Sequence, residues 1–305
     1  MSAVLPLVAL QSLIINSIEQ NKRLYCVFID YSKAFDSVNH QKLWYKLWRN
    51  GIRGRLLNVI KSIYDNVRSC VKLNGKLSAM FDLHVGLLQG ESLSPMLYSL
   101  FVNDMESHFI NSNCQSYSLQ LINLFMLMYA DDTVLFSEDV TDLQNMLDSL
   151  QTYTLKWNLK INTDKTKIVV FRKRKRMLPS ENWTFNGNPI EIVDKFCYLG
   201  LIFNFNGRFT AALDTLACQG RKAYYHLKRK MKVFTLNIET KMSLFDTYVA
   251  CVLNYGCEVW GQAVSPQIEK IHLLFLKDLL NVKKTVNSAM VSSKLVDIHC
   301  MSNVK

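Results

Sequence analysis

Proline and glycine are scarce in this sequence, 5 and 11 of 305 residues. That scarcity excludes collagen-like, low-complexity and linker-rich chains, and with 49% hydrophobic and 20% charged residues the chain should fold around a real core. At about 150 residues per domain, its length allows two domains without stapling. The eight cysteines (26, 70, 114, 197, 218, 251, 257 and 300) include no C-x-x-C, and Cys251 and Cys257 lack a Cys/His pair at zinc-finger spacing. Reduced thiols in a nuclear or cytoplasmic protein follow, in preference to a disulfide framework or a zinc site. Long apolar runs are missing as well. None reaches the roughly 18 residues of a membrane span, and the longest is cut by Asn123. The apolar start Met1 to Leu10 has no basic flank, so neither secretion nor membrane spanning is expected.

Basic charge is short in one half only. Residues 1–150 carry 12 Lys and Arg against 14 Asp and Glu, whereas residues 151–305 carry 24 against 11. A surface that basic attracts polyanions, nucleic acid first and an anionic membrane second. Two clusters stand out. Lys165 to Arg176 has seven basic residues in twelve with Phe171 among them, and Arg221 to Lys232 has six with Tyr224, Tyr225 and His226. Basic side chains engage phosphates while aromatic rings stack on bases or sugars, which makes Arg221, Lys222, Lys228, Arg229 and Lys230 nucleic-acid-binding candidates. A solvated charged face, or a nuclear-localisation-like run in Arg172 to Arg176, is the plainer alternative. A membrane-surface helix would need an apolar face opposite the second cluster, which Tyr224 and Tyr225 provide poorly.

Along the chain, Pro6, Leu7, Leu10, Ile14 and Ile18 are spaced as an amphipathic helix. Tyr25 to Ile29 reads as a buried strand ending on Asp30. Asn39 can cap a helix that stops at Gly51, a second helix follows through Leu57 and Ile60, and Asn74-Gly75 signals a hairpin. Ser94-Pro95 reads as an N-cap and first-turn proline before Leu97 and Phe101. Phe125 to Tyr129 and Thr133 to Phe136 read as strands flanking Ala130-Asp131-Asp132. A helix over Val140 to Leu150 comes next, then strand-like stretches from Lys160 to Phe171 and Trp183 to Phe205. From Phe209 the pattern is helical and basic. This order predicts an α+β part followed by an all-α part.

Asp30, Asp131 and Asp132 each close an apolar strand. A carboxylate withdrawn from water must be protonated, paired or bound to a metal, and no Lys or Arg adjoins the Tyr-Ala-Asp-Asp turn. Oxygen ligands suit Mg²⁺, and paired Mg²⁺ ions serve in-line phosphoryl transfer. Taken alone, Asp131-Asp132 reads sooner as a hairpin turn with aspartates at turn-favoured positions.

Context decides between these. Phe28-Ile29-Asp30-Tyr31-Ser32-Lys33-Ala34-Phe35-Asp36, Gln89-Gly90-Glu91-Ser92-Leu93-Ser94-Pro95, Tyr129-Ala130-Asp131-Asp132, Asn162 to Lys167 with Val169-Val170-Phe171, and Phe196-Cys197-Tyr198-Leu199-Gly200 follow one another in order. They resemble the five palm motifs of the reverse transcriptases of non-LTR (LINE-type) retrotransposons. Tyr255-Gly256-Cys257-Glu258-Val259-Trp260-Gly261 is similar to part of that family's thumb. The resemblance implies a polymerase palm, a ferredoxin-like antiparallel sheet with helices, over residues 1–205, and a helical basic thumb-like region over 206–305. It implies an RNA-directed DNA polymerase whose Asp30, Asp131 and Asp132 hold two Mg²⁺, with Mn²⁺ as the alternative ion. Lys165 would be the general acid toward pyrophosphate, with Lys167 nearly as well placed and a solvated lysine the simpler role for either. Tyr31, Lys33, Ala34, Phe35, Gln89 and Gly90 would form the nucleotide site. Phe35 would be a steric gate against a ribose 2′-hydroxyl, unless it is plain core packing. Tyr198, Leu199 and Gly200 would form the primer grip. The implied partners are an RNA template, a DNA primer and dNTP, with no membrane and no protein partner to be inferred.

The sequence also departs from that pattern. Only 29 residues precede Asp30, where the family has a long fingers segment with triphosphate-clamping basic residues, and neither an endonuclease domain nor a Cys/His knuckle accompanies the motifs. The alternative expectation is therefore a catalytically silent, nucleic-acid-binding remnant of a retrotransposon reading frame.

Overall fold

The computed structural model describes residues 3–290 except 66, 120, 121, 175, 264 and 284, so Cys300, Lys175 and the stretch Leu295 to Lys305 lie outside the described residues. The first helix, α1 (Val4–Glu19), leads into β1 (Leu24–Ile29), whose six residues are all buried. Alternation along the strand sends Tyr25, Val27 and Ile29 into the main core, while Phe28, on the opposite face, stacks on Phe196. Burial on both faces explains why the run is continuously apolar.

Next come α2 (His40–Arg49), α3 (Gly54–Asp65), α4 (Ser94–Val102), α5 (Met105–Asn111), β2 (Met126–Tyr129), β3 (Asp132–Ser137), α6 (Val140–Trp157) and β4 (Lys167–Phe171). The chain continues through β5 (Glu191–Ile192), β6 (Lys195–Tyr198), β7 (Leu201–Asn204), α7 (Thr210–Met231), α8 (Ile238–Phe245) and α9 (Pro266–Leu279). Asn39 caps α2 as expected, its side chain accepting from the Lys42 amide. Asn74 and Gly75 turn the hairpin between Lys72–Leu73 and Lys76–Leu77 with φ of 48° and 81°. The Ser94 expectation is corrected: Leu93 stands at the cap position, and the Ser94 hydroxyl donates to the Leu88 carbonyl at 2.6 Å, closing the entry loop instead.

One sheet orders the strands β5-β4-β1-β3-β2. The β4/β1, β1/β3 and β3/β2 pairs are antiparallel, and β4/β5 is parallel. The expected wholly antiparallel sheet is thus broken at one edge. The chain between β4 and β5 includes a small hairpin, Thr184–Phe185 with Asn188–Pro189, and is long enough to return in the same direction. Leu43 and Leu47 of α2, Leu97 and Phe101 of α4, and Leu143, Leu147 and Leu150 of α6 share a core with the inner face of β1.

The chain forms two compact units. The first comprises Ala9–Leu199 and Phe205–Gly207 and carries the sheet. The second takes Gly200–Asn204 and the chain from Arg208, together with the first turns of α1. In the second unit α7 buries Leu213, Leu216, Tyr224 and Leu227, and Phe245 of α8 stacks on Phe275 of α9 with ring centroids 4.0 Å apart. Among the described residues no helix is long and apolar enough to cross a membrane.

Candidate active site

Asp30 follows the last residue of β1, and Ile29 faces Thr133 across the β1/β3 ladder. One further step of that register would set Asp30 opposite Asp132, and the two line one cavity. The β2/β3 turn holds only Ala130 and Asp131 between the paired Tyr129 and Asp132. Ala130 sits at φ 54°, a left-handed setting that costs a residue with a Cβ about 1 kcal/mol. The paired strands on either side hold that strain in place, and it keeps Asp131 at the tip.

Asp30 is half-buried, whereas Asp131 and Asp132 are exposed, which corrects the expectation of carboxylates withdrawn from water. Their distinguishing feature is proximity. Partial burial, then the charges of Asp131 and Asp30, hold the Asp132 carboxyl above its ordinary range. Among the described residues no ion pair reaches any of the three, and no group of three or more His, Cys, Asp or Glu side chains is gathered so as to hold a metal ion as they stand. Carboxylate oxygens with no cationic partner are the donor type that a hard divalent cation such as Mg²⁺ or Mn²⁺ takes.

The segment after α6 is pinned to this strand end. The Asn162 amide donates to the Asp30 carbonyl at 2.8 Å, and the Asp30 amide donates to Thr166 Oγ1 at 3.2 Å. Those bonds bring Lys165 to the site, in a cavity of ≈ 520 Å³ lined by Asp30, Asp132, Lys165, Lys167 and Lys195 beside Phe28, Phe196 and Tyr198. Lys167 is neutralised by Glu191 at 2.6 Å. Lys165 and Lys195 are exposed, and neither forms an ion pair among the described residues. Sequence reasoning missed Lys195, although it lies three residues before Tyr198 in the same motif strand.

Of the nucleotide-site candidates, Tyr31 and Ala34 are buried and Lys33 is exposed at φ 53°. Burial raises the Tyr31 hydroxyl pKa. Phe35 stacks on Tyr98 with centroids 4.9 Å apart. Gln89 donates to Asp36 Oδ1 at 2.9 Å, a link between the first two motifs that sequence spacing does not reveal. A Cβ on Gly90 would meet open space; the close approach falls on Gly86, where it would lie 3.1 Å from the Asp36 Cα. Tyr198 is buried 5.6 Å from the Phe28 ring, and its hydroxyl pKa is raised by burial and then by Asp132. Leu199 and Gly200 both take positive φ, and in the second unit a Cβ on Gly200 would press on the Tyr255 ring at 3.2 Å.

The basic clusters are thinner than they read. Arg172 is buried, donates to the Val170 carbonyl at 2.7 Å and pairs with Asp194 at 3.1 Å. Lys228 is ion-paired with Asp278, which also accepts from the Tyr224 hydroxyl. Arg221, Lys222, Arg229 and Lys230 are exposed.

Residues 4–203 match the family described as reverse transcriptase (RNA-dependent DNA polymerase). The chain is 28% identical over 296 residues to the RNA-directed DNA polymerase from mobile element jockey of Drosophila funebris, covering 94% of this chain and 31% of that protein. To the probable RNA-directed DNA polymerase from transposon X-element of Drosophila melanogaster it is 24% identical, covering 82% of this chain and 27% of that protein. The chain thus spans about a third, or less, of these curated relatives. Among solved structures, telomerase from Candida albicans in complex with a TWJ fragment of telomeric RNA shares the fold at TM-score 0.50 and 13% identity, covering 92% of this chain and 52% of that one.

Proposed function

The chain belongs to the reverse transcriptase family of RNA-dependent DNA polymerases, and from that premise we propose that it is a polymerase core that extends a DNA primer with deoxynucleotides along an RNA template. The observation that supports this reading is that Asp30, one residue past the Ile29–Thr133 pair, lines one cavity with Asp132, with Asp131 at the adjoining turn and no ion pair to any of the three among the described residues. Asp30, Asp131 and Asp132 would hold two Mg²⁺, or Mn²⁺, which when bound lower the pKa of the primer 3′-hydroxyl and neutralise charge on the departing pyrophosphate.

The remaining work falls to protein groups. Lys165, carried to the cavity by the Asn162 and Thr166 hydrogen bonds, donates a proton to pyrophosphate. Phe35, braced on Tyr98, excludes a 2′-hydroxyl, while Tyr31, Lys33, Ala34, Gln89 and Gly90 shape the nucleotide site. Tyr198, Leu199 and Gly200 steady the primer end. The first unit acts as a palm and the second, from about residue 206, as a thumb-like region whose Arg221, Lys222, Arg229 and Lys230 engage phosphates. An RNA partner is supported by the family and by the RNA named with the telomerase structure.

The test is Mg²⁺-dependent extension of a DNA primer on an RNA template by the purified chain, with Asp131→Asn beside it. The variant should fold normally and lose more than about 100-fold in extension, because a carboxamide cannot replace a charged metal ligand. Equal extension by variant and parent would refute the site. Tight nucleic-acid binding by a parent chain that never extends would favour the silent, nucleic-acid-binding alternative.

A further inference from the structure

The basic run of α7 is not a single surface. Lys228 is taken up by Asp278, whereas His226, Arg229 and Lys230 border two overlapping cavities of ≈ 470 and ≈ 400 Å³ at the C-terminal end of the helix. The cavities share His226, Lys230 and Phe234. Leu227, Met231, Leu244 and Tyr248 line the smaller one. Phe234 and Tyr248 keep 65% and 60% of their surface exposed, and the neighbouring Val233 keeps 76%. Among the described residues, no carboxylate lines either cavity.

Bare aromatic rings grouped at one place on a protein surface mark a binding site more often than a structural accident. Here the rings come with cations and without acids. An apolar wall accepts the flat face of a base, and guanidinium and ammonium groups accept its phosphate. A duplex cannot use such a wall, because its bases are already stacked and only its phosphates are on offer. The volumes lie within the range that a nucleotide-sized ligand fills.

We propose that these two adjoining cavities together take an unpaired nucleotide of a single-stranded polynucleotide, the base against Phe234 and Tyr248 in the smaller, and the phosphate on Lys230, which lines both, and on Arg229, which lines the larger. The proposal rests on the polymerase reading only for its choice of partner. It adds a discrimination that the phosphate-binding face of α7 does not itself possess, single strand over duplex.

The experiment measures affinity of the full chain for an oligouridylate of about 12 nucleotides, its deoxy counterpart, and a blunt RNA–DNA duplex of equal length across a salt series. Phe234→Ala and Tyr248→Ala should each weaken single-strand binding roughly tenfold, leaving the salt slope and the duplex affinity unchanged. Phe234→Trp should retain the parent affinity, which separates stacking from a structural loss. Lys230→Glu should lower the slope on single strands. A difference between the ribose and deoxyribose strands identifies which strand type the cavity prefers. Unchanged single-strand affinity in both alanine variants overturns the proposal and leaves the groove to an apolar protein segment. An equal loss on the duplex overturns it too, in favour of a general phosphate surface. The polymerase reading fails separately, through absent extension with nucleic-acid binding intact.

Discussion

The ammonium of Lys46 lies 3.6 Å from the centroid of the Trp157 ring, inside the main core of the first unit. Phe101 and Tyr153 present rings at 5.4 and 5.0 Å, the Lys46 ammonium donates to the Tyr153 hydroxyl at 3.0 Å, and Asp104 supplies the counter-charge. Only 1% of Lys46 is exposed. Burial lowers its pKa from 10.5 to about 8; Asp104 opposes the shift, and Lys156 and Arg49 add to it.

A pH dependence of stability follows, with a definite sign. Between about pH 8 and 10.5 the unfolded chain keeps a proton on Lys46 that the folded chain has released. The unfolded state then binds more protons, so this residue makes stability rise with pH across that window and contributes no slope below it. Urea denaturation from pH 7.5 to 10 should show the rise in the parent and lose it in Lys46→Met. Parallel curves for the two proteins would place the titration elsewhere.

Lys228 and the pair Arg221 and Lys222 should separate cleanly in mutational tests. Lys228→Met breaks the Asp278 pair and should cost about 1–2 kcal/mol of stability, seen as a lower Tm, while leaving the salt slope of nucleic-acid binding alone. Reversing Arg221 and Lys222 to Glu should instead lower that slope by about one for each phosphate no longer neutralised, with Tm unchanged.

Phe35→Ala should raise ribonucleotide incorporation relative to deoxyribonucleotide, since the bulk of the ring stacked on Tyr98 is what would exclude a 2′-hydroxyl. Competition between labelled rNTP and dNTP in single-nucleotide extension reads this out. A Tm drop without any change in sugar preference would return Phe35 to a packing role.

Gly220 lies inside α7, where alanine would ordinarily help a helix by about 1 kcal/mol. Its added Cβ would fall within the Leu253 side chain, 2.8 Å from Cγ, and Leu253 is fully buried, so that side chain would have to shift within a packed interior. Overpacking of about 1–3 kcal/mol should outweigh the helical gain, so Gly220→Ala lowers the urea midpoint.

The strand ending on Asp30, the two-aspartate turn, the Asn39 cap and the Asn74-Gly75 hairpin were all legible in the sequence. Each depends on residues within a few positions of one another, where alternation, turn chemistry and capping act locally. Five motifs in order extended that legibility to the family. Tertiary structure alone decided which charges are free. Lys228 meets a carboxylate fifty residues away, Arg172 meets Asp194, Gln89 meets Asp36 and Lys46 enters a cage of rings from two other helices, so four polar side chains that look alike in sequence have different partners and surroundings. The exposure of Asp131 and Asp132, the appearance of Lys195 in the cavity that Asp30 and Asp132 line and the parallel β4/β5 edge belong to the same class. They depend on the meeting of distant segments, and local periodicity carries no information about which distant side chain will arrive.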